Sequence, residues 1–380
     1  MKIIINATVI RSEGGVTLLQ ELLRAFKQEQ IVLYLNPELT SRVSEAENLE
    51  IITHHPGNGI GRFLWEQFSL PFVVKKHHGN LLLSFGNTGP LFSPCPQVLY
   101  VQQSIPYTHW QPSQNRLRWH LYRLIYGFLM GLAQLGATRI IIPTAWLAVP
   151  MRRSVFALVP PERYMVSPPG LPQMLDTEHE LSEAERELLA RAQICKSAGN
   201  GMVFYPAYLA PYKNIPELLE AFSQLAQLSP QPCKLWLTFD QDSPEYFPCK
   251  QEVFETLARL DFNESEVVLC GSLSKAAVNR MYALSDVLVF PSLVETLGLP
   301  LQEALALSLP IVACDTPFAR EICGEAALYA PAESPAALAR QLFDALKPEV
   351  QQRLKEQARV QAARFCWDAH ARDILGLTPG

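Results

Sequence analysis

The chain has 380 residues, of which 48% are hydrophobic and 18% charged, with a net charge of −5 and eight cysteines. This length suits two domains with full cores, and the composition is typical of an ordinary soluble globular protein rather than a disordered one. The cysteines are scattered without a C-x-x-C pair, which favours reduced thiols in the cytoplasm over a disulfide framework or a structural zinc site. The first residues predict a strand rather than a signal peptide, and no apolar run is long enough to span a bilayer.

In the first half, short apolar runs alternate with helical patterns, which predicts a parallel sheet wrapped by helices. Strands are expected over residues 2–6, 31–35, 81–85, 98–102 and 139–142, with helices from about residue 16 and over 116–135. Residues 176–200 are polar and helix-prone, and they are interpreted as a connection between domains. We therefore place the first domain at residues 1–175.

The second half repeats this pattern, and we place a second domain at residues 176–360 and a terminal helix within residues 361–380. Strands are expected over residues 202–205, 234–239, 267–269, 287–290 and 311–313, with a helix from about residue 214. The predicted fold class is α/β, with two Rossmann-like, doubly wound parallel-sheet domains facing a cleft.

Two glutamates, Glu295 and Glu303, are eight positions apart, between a predicted strand and a helix that we expect to begin at Pro300. Proline suits the first turn of a helix. The N–H groups of Gly298 and Leu299, beside Thr296, would then point from a free helix end, which binds anions. One carboxylate on each side of a diphosphate could accept hydrogen bonds from the hydroxyls of a nucleotide-sugar.

The stretch from Pro291 to Ala304 resembles the E-x7-E motif of glycosyltransferase family 4 (group 1), retaining enzymes with the GT-B fold. The resemblance is strong over residues 202–329 and looser before them. It implies that Glu295 holds the donor sugar and Glu303 the ribose. It also implies that the terminal helix, expected over about residues 364–375, packs back on the first domain.

Lys213 precedes the predicted helix at residue 214, in which Asn214 and Glu217 have the spacing of a capping box. The resemblance assigns to Lys213 the neutralisation of the leaving diphosphate. Many family members also have a Gly-Arg pair about six residues earlier, which this chain lacks. Its Tyr-Pro-Ala pattern followed by Lys-Asn is similar to a branch of bacterial polysaccharide transferases. That branch favours GDP-mannose as the donor.

Glycines mark two further candidate positions. Gly14 and Gly15 follow the first strand and precede the predicted helix, where they could approach the donor phosphate or simply form a turn. Gly271 ends another strand, where the resemblance places the nucleotide base and where a simple turn is equally plausible. No G-x-G-x-x-G or G-x-x-x-x-G-K-[ST] motif is present, which disfavours a dinucleotide oxidoreductase and a P-loop enzyme.

Asp240 and Asp242 have the D-x-D spacing of a metal site, but we interpret them as turn residues and expect no metal cofactor. Asn87 follows a strand of the first domain and could face the acceptor or serve in a turn. The family often has a histidine facing the reacting sugar, where Gln102 or Gln103 stands here. Glutamine does not exchange protons near neutral pH, and we assign Gln103 to the acceptor side.

Charge is unevenly distributed along the chain. Residues 67–161 contain eight Lys or Arg and no Asp or Glu, whereas the remainder has a net charge of −13. Within this run Arg116, His120 and Arg123 share a helix face among aromatic side chains. The pattern fits either docking on an anionic membrane, such as the inner face of the plasma membrane, or a core helix with a solvated edge. Nucleic acid is not expected, since the cations are few and spread out.

These features predict a glycosyltransferase that moves a sugar from a nucleoside-diphosphate sugar to a glycan or lipid-linked acceptor with retention. Two alternatives remain. A nucleotide-sugar epimerase could use the same fold, because fold does not determine function. A non-catalytic subunit that binds the nucleotide-sugar is also compatible with the missing arginine.

Overall fold

The computed structural model describes residues 1–376 except 12, 45, 58, 113–114, 175–180 and 263–265. The chain divides into two compact units. Unit 1 comprises Met1–His109, Leu117–Pro172 and Phe365–Gly380, and unit 2 comprises Trp110–Arg116 and Gln173–Arg364. Residues 175–180, which contain both sides of the expected domain boundary, lie outside the described residues.

Unit 1 is built on a parallel sheet of seven strands in the order β3-β2-β1-β4-β5-β6-β7. The strands are β1 (Lys2–Ala7), β2 (Gln30–Leu35), β3 (Leu49–Thr53), β4 (Leu81–Phe85), β5 (Gln97–Tyr100), β6 (Arg139–Ile142) and β7 (Tyr164–Val166). The helices are α1 (Glu13–Ala25), α2 (Gly59–Leu64), α3 (Leu70–Lys76), α4 (Arg116–Gly136) and α5 (Ala145–Arg153). Central strands such as β1 are apolar on both faces because helices cover both sides of the sheet.

Unit 2 has a parallel sheet of six strands in the order β10-β9-β8-β11-β12-β13. The strands are β8 (Gly201–Tyr205), β9 (Cys233–Leu237), β10 (Val267–Leu269), β11 (Val287–Phe290), β12 (Ile311–Cys314) and β13 (Ala327–Ala330). The helices are α6 (Glu183–Ser197), α7 (Ile215–Leu228), α8 (Lys250–Leu260), α9 (Lys275–Leu284), α10 (Leu299–Ala306), α11 (Pro317–Cys323), α12 (Pro335–Ala345) and α13 (Pro348–Ala362). Within the described ranges, no helix has both the length and the hydropathy needed to cross a membrane.

Three strands were not expected from the sequence: β3, β7 and β13. All three lie at a sheet edge. The side chains of β3 are exposed or only partly buried, so this strand lacks the continuous apolar run by which central strands are recognised. The polar segment expected as an interdomain connection contains helix α6, which belongs to unit 2.

The last helix, α14 (Trp367–Leu375), belongs to unit 1. The Trp367 indole N–H donates to the Leu171 carbonyl at 2.8 Å. The ring lies so close to Gly170 that a Cβ at that position would be 2.2 Å from the Trp367 Cδ1. A glycine is therefore required where α14 docks.

A chain of hydrogen bonds fixes His370 of α14 inside unit 1. Ser167 Oγ donates to Asp373 Oδ2 at 2.7 Å and bonds to His370 Nδ1 at 2.8 Å. The Ser167 hydroxyl proton thus lies in the hydrogen bond to Asp373, so the His370 Nδ1–H donates to Ser167 Oγ. His370 Nε2 then accepts from the Tyr100 hydroxyl at 3.0 Å. Burial favours the neutral ring and lowers the pKa of His370 from 6.5 to about 3, although a hydrogen bond with the Ser167 backbone acts in the opposite direction.

This histidine predicts a loss of stability in acid. Between its folded and unfolded pKa values the unfolded chain binds a proton that the folded chain does not, so the free energy of unfolding falls as the pH drops below 6.5. We expect a loss of about 2 kcal/mol between about pH 7 and about pH 5 from this residue. Urea denaturation of the wild type and His370→Gln at both pH values measures the difference, and equal pH dependence in the two proteins would contradict the prediction.

Candidate active site

The candidate site of unit 2 lies at the carboxyl ends of β8 and β11, which are adjacent parallel strands. The connections from these two strands run to opposite ends of the sheet, since β9 lies on one side of the pair and β12 on the other. Such a topological switch point opens a crevice beyond the carboxyl ends of the strands, where doubly wound sheets bind ligands. The loop after β8 contains Lys213, and the loop after β11 contains Glu295.

The structure brings Lys213 and Glu295 into direct contact. Lys213 Nζ lies 2.5 Å from Glu295 Oε1, and the two side chains are 5% and 16% exposed. The two loops are also joined by their backbones, because the Leu293 N–H donates to the Tyr212 carbonyl at 2.8 Å. Sequence analysis assigned both residues to one ligand without anticipating that they would form a buried ion pair.

Tyrosines enclose this pair. Lys213 Nζ lies 4.6 Å from the centroid of the Tyr208 ring, a cation–π contact, and the Tyr208 and Tyr212 hydroxyls are 2.8 Å apart. The Tyr205 hydroxyl lies 2.8 Å from Ser292 Oγ and 3.1 Å from the Lys213 carbonyl oxygen. These residues were not identified as part of the site, although tyrosines recur through the stretch from residue 205 to 212.

The enclosure controls the charge of the lysine. Burial by itself disfavours the ammonium ion, but the neighbouring Glu295 carboxylate outweighs it and raises the pKa of Lys213 above its ordinary value. Tyr205 and Tyr212 contribute in the same direction. Lys213 is therefore a permanent cation that donates one of its three N–H groups to Glu295.

The predicted capping box at Asn214 is wrong. Asn214 has a left-handed backbone, with φ of 56°, and its side chain makes no capping hydrogen bond to helix α7. Its amide instead donates to the Ala332 carbonyl at 3.2 Å. Asparagine tolerates this conformation better than most residues, and the turn points the neighbouring Lys213 into the site.

Glu303 lies in α10 and is 6% exposed. Its Oε1 pairs with the Lys275 ammonium, and its Oε2 accepts from the Tyr282 hydroxyl at 2.7 Å. Both partners belong to α9. Burial and the Glu303 carboxylate raise the pKa of Tyr282, which keeps the hydroxyl protonated as a donor. Neither partner was predicted from the sequence.

Helix α10, which contains Glu303, begins one residue earlier than expected. Gly298 is the N-cap of α10, with φ of 66°, and Pro300 is the second helical residue. The left-handed backbone favours glycine at this position. The first N–H groups of a helix have no partner within the helix, so the Leu299 N–H is directed off its end, whereas Pro300 has no N–H and the Leu301 N–H donates to the Gly298 carbonyl at 2.9 Å. Thr296 lies in the turn just before Gly298.

The loop after β10 contains the predicted base-binding glycine. Gly271 has φ of 67°, and a Cβ there would lie 2.7 Å from Asp240 Oδ2. Asp240 Oδ1 accepts from the Ser243 and Asp242 N–H groups at 2.8 and 3.1 Å. Asp240 thus closes a turn.

A cavity of about 340 Å³ lies beside this loop. Leu269, Cys270, Ser272 and Leu273 line one side, and Glu187 and Arg191 of α6 are among the residues of the other. Glu185 of α6 accepts from the Ser274 N–H at 2.7 Å, which fixes the helix against the loop. The sequence analysis did not assign α6 to the site.

In unit 1, Asn87 and Gln103 follow β4 and β5. Asn87 has φ of 75°, and its side-chain oxygen accepts from the Gln102 N–H at 2.6 Å. Gln103 Oε1 accepts from the Ile105 N–H, and Nε2 donates to the Tyr122 hydroxyl at 3.4 Å. Both side chains therefore shape the strand-end loops.

The glycine pair is placed differently from the prediction. Helix α1 begins at Glu13, so Gly14 and Gly15 lie within its first turn rather than before it. A tight turn ahead of the helix is therefore not their role. The N-terminal turn of a helix still presents backbone N–H groups.

A buried carboxylate in unit 1 was also not predicted. Glu66 is 1% exposed, and it accepts from Thr88 Oγ1 at 3.1 Å and from Asn6 Nδ2 at 3.4 Å. Arg62 lies 3.6 Å away, one helical turn earlier. Burial raises the pKa of Glu66, while Arg62 and the hydrogen bonds oppose the shift. This cluster lies near the ends of β1 and β4, the switch point of the first sheet.

Residues 189–361 match the family model described as glycosyl transferases group 1. Nearly half of the chain, within unit 2, is thus similar to this family. The matched residues include the Lys213–Glu295 and Lys275–Glu303 ion pairs and the whole of the second sheet.

Individual proteins are also similar to this chain. O-antigen chain mannosyltransferase B of Escherichia coli is 24% identical over 183 residues, which are 48% of this chain and 46% of that protein. The chain thus matches less than half the length of this relative. HepE of Anabaena, solved with UDP and glucose, superposes with a TM-score of 0.71 at 18% identity, covering 99% of this chain and 98% of that one. Sucrose-phosphate synthase of Thermosynechococcus elongatus gives 0.73 at 18% identity with the same coverage. The predicted GT-B class of two parallel-sheet α/β domains is confirmed.

Proposed function

We propose that this protein is a retaining glycosyltransferase that moves a sugar from a nucleoside-diphosphate sugar to a glycan or lipid-linked acceptor in polysaccharide biosynthesis. The observation that carries the proposal is the buried Lys213–Glu295 pair at the switch point of the group 1 domain. GDP-mannose is the favoured donor. The likeness to a mannosyltransferase supports it, and the complex of HepE with UDP and glucose supports a nucleoside diphosphate as the ligand class.

Lys213 is proposed to neutralise the diphosphate. One N–H of its ammonium donates to Glu295, and the other two could donate to phosphate oxygens. The N–H groups of Gly298 and Leu299 at the start of α10 would add donors without added formal charge. Charge grows on the diphosphate as the sugar–phosphate bond breaks, and donors fixed in advance stabilise it most in the transition state.

The two glutamates have binding roles in this proposal. Glu295 is held by Lys213, so its second oxygen could accept from hydroxyls of the donor sugar and position the sugar for attack. Glu303 is held by Lys275 and Tyr282 and could accept from the ribose through its remaining lone pairs. Retention then requires no carboxylate nucleophile. The acceptor hydroxyl attacks the anomeric carbon as the bond to the diphosphate breaks, and the departing diphosphate takes the proton of that hydroxyl.

Asn87 and Gln103 are proposed to face the acceptor, and Gly14, Gly15, Thr296 and Gly271 to contact the nucleotide-sugar. We propose that no metal cofactor takes part, because Lys213 and the helix ends supply the positive charge. The turn hydrogen bonds of Asp240 are consistent with this.

A panel of UDP-, GDP- and ADP-sugars tests the donor assignment by the shift in melting temperature, since a ligand that binds only the folded state raises it. We expect the largest shift with GDP-mannose.

We also expect this donor to be consumed only when acceptor is present, and we expect EDTA to leave its consumption unchanged. Consumption without acceptor would indicate an epimerase. Activity lost in EDTA and restored by Mg²⁺ would contradict the absence of a metal.

Glu303→Ala should weaken binding of the free nucleoside diphosphate by about 2–4 kcal/mol, because two charge-assisted hydrogen bonds to the ribose are lost. Isothermal titration calorimetry measures the change. Glu220→Ala is the control, since it removes a partly exposed carboxylate that pairs with Arg259 in the same unit. Unchanged affinity in Glu303→Ala would exclude this residue from the nucleotide site.

Lys213→Met should lower kcat by about 100-fold to 1000-fold while weakening donor binding much less, because the lysine acts mainly on charge that develops in the transition state. Steady-state kinetics together with donor titration separate the two effects. Lys250→Met is the control, as it removes a lysine of the same unit whose ammonium donates to the Gln241 carbonyl. Normal turnover in folded Lys213→Met would leave the lysine a purely structural role.

A further inference from the structure

Unit 1 exposes a row of large apolar side chains on the helical stretch from α2 to α3. Ile60, Leu64, Phe68 and Phe72 follow one another at intervals of four residues and are 48–73% exposed. The π-helical turn Trp65–Ser69 joins the two α-helices without interrupting this row. Isolated exposed apolar residues are common, but a contiguous row marks an interaction surface.

Helix α4 carries a second row. Leu117, Leu121, Leu124, Ile125 and Phe128 lie on one face of the helix and are 50–74% exposed. Three of the aromatic residues near the cations are not part of this row, since Trp119 is fully buried and Tyr122 and Tyr126 are partly buried, whereas Phe128 is exposed. The solvent-facing side of α4 is therefore aliphatic as well as basic.

The helical stretch that carries the first row and helix α4 are neighbours in unit 1. Arg62, Phe63 and Gln67 from the first stretch line the same cavity as Leu129 and Leu132 of α4. The two rows together are termed here the apolar face, which consists of Ile60, Leu64, Phe68, Phe72, Leu117, Leu121, Leu124, Ile125 and Phe128.

The charged residues beside the apolar face indicate which kind of partner binds it. It is flanked by exposed cations, with Lys75 and Lys76 at the end of α3 and Arg116 and Arg118 at the start of α4. The surrounding run of residues 67–161 has no acidic side chain. A second copy docked through the same face would oppose these cations to their own equivalents. A partner with an apolar interior and a negatively charged surface complements the apolar face and its cations better, and an anionic lipid leaflet has both properties.

We propose that the apolar face inserts into the interface of an anionic membrane, with its leucine, isoleucine and phenylalanine side chains at the level of the first acyl carbons. The flanking lysines and arginines contact the headgroups. This differs from adsorption by charge alone, which salt would abolish: apolar insertion persists when charges are screened. It does not depend on the proposed sugar transfer.

Flotation with vesicles of phosphatidylcholine, alone or mixed with phosphatidylglycerol, tests this without donor or acceptor. We expect the wild type to bind the anionic vesicles at low salt and to retain part of that binding at high salt. Phe68→Ser with Phe72→Ser, and separately Leu124→Ser with Ile125→Ser, should each lower the partition coefficient at least about tenfold. Arg116→Ser with Arg118→Ser should lower binding at low salt only.

Ile194→Ser with Val360→Ser is the matched control, since these residues are 68% and 69% exposed but belong to unit 2. This variant should bind vesicles as the wild type does. Equal binding by the two apolar-face variants and the wild type would overturn the proposal, as would no flotation with anionic vesicles at low salt. A dimer in light scattering that these variants convert to monomer would assign the face to a second copy instead.

Discussion

The ion pair between Lys213 and Glu295 is the constraint on which the candidate site depends. Removing two charges from water is costly, and their attraction offsets the cost only when the geometry is good and further hydrogen bonds are made. Here the 2.5 Å contact, the Tyr208 ring, and the bonds of Tyr205 to Ser292 and to the Lys213 carbonyl provide that support. The loops after β8 and β11 are therefore held in one arrangement before any ligand arrives.

The second glutamate is organised in the same way from different elements. Glu303 takes a lysine and a tyrosine hydroxyl, both from α9. Each carboxylate of the motif thus has a cation on one oxygen, and its orientation is set by a neighbouring element rather than by its own loop. Such supporting contacts hold binding groups in position and reduce what a ligand must spend on ordering them.

The two units differ in what they present to their surroundings. Unit 2 has two ion pairs at its candidate site, Lys213–Glu295 and Lys275–Glu303, whereas much of the positive charge of unit 1 lies in a run without acidic residues, beside an exposed apolar face. Unit 1 also buries a carboxylate, Glu66, among Asn6, Thr88 and Arg62 at its own switch point.

The sequence by itself determined the two-sheet α/β architecture, because buried parallel strands are continuous apolar runs, and it determined the motif containing Glu295, Gly298 and Glu303, because these are close in the chain. It could not indicate the edge strands β3, β7 and β13, whose apolar signal is short. It located Asn214 as the N-cap of α7 but predicted a capping box that does not form, since the Asn214 amide donates instead to the Ala332 carbonyl, 118 residues away. Tertiary structure alone decided that Lys213 meets Glu295 and that Lys275 and Tyr282 meet Glu303. Those contacts depend on which strands and helices become neighbours in the fold, and local sequence patterns do not show which elements are adjacent.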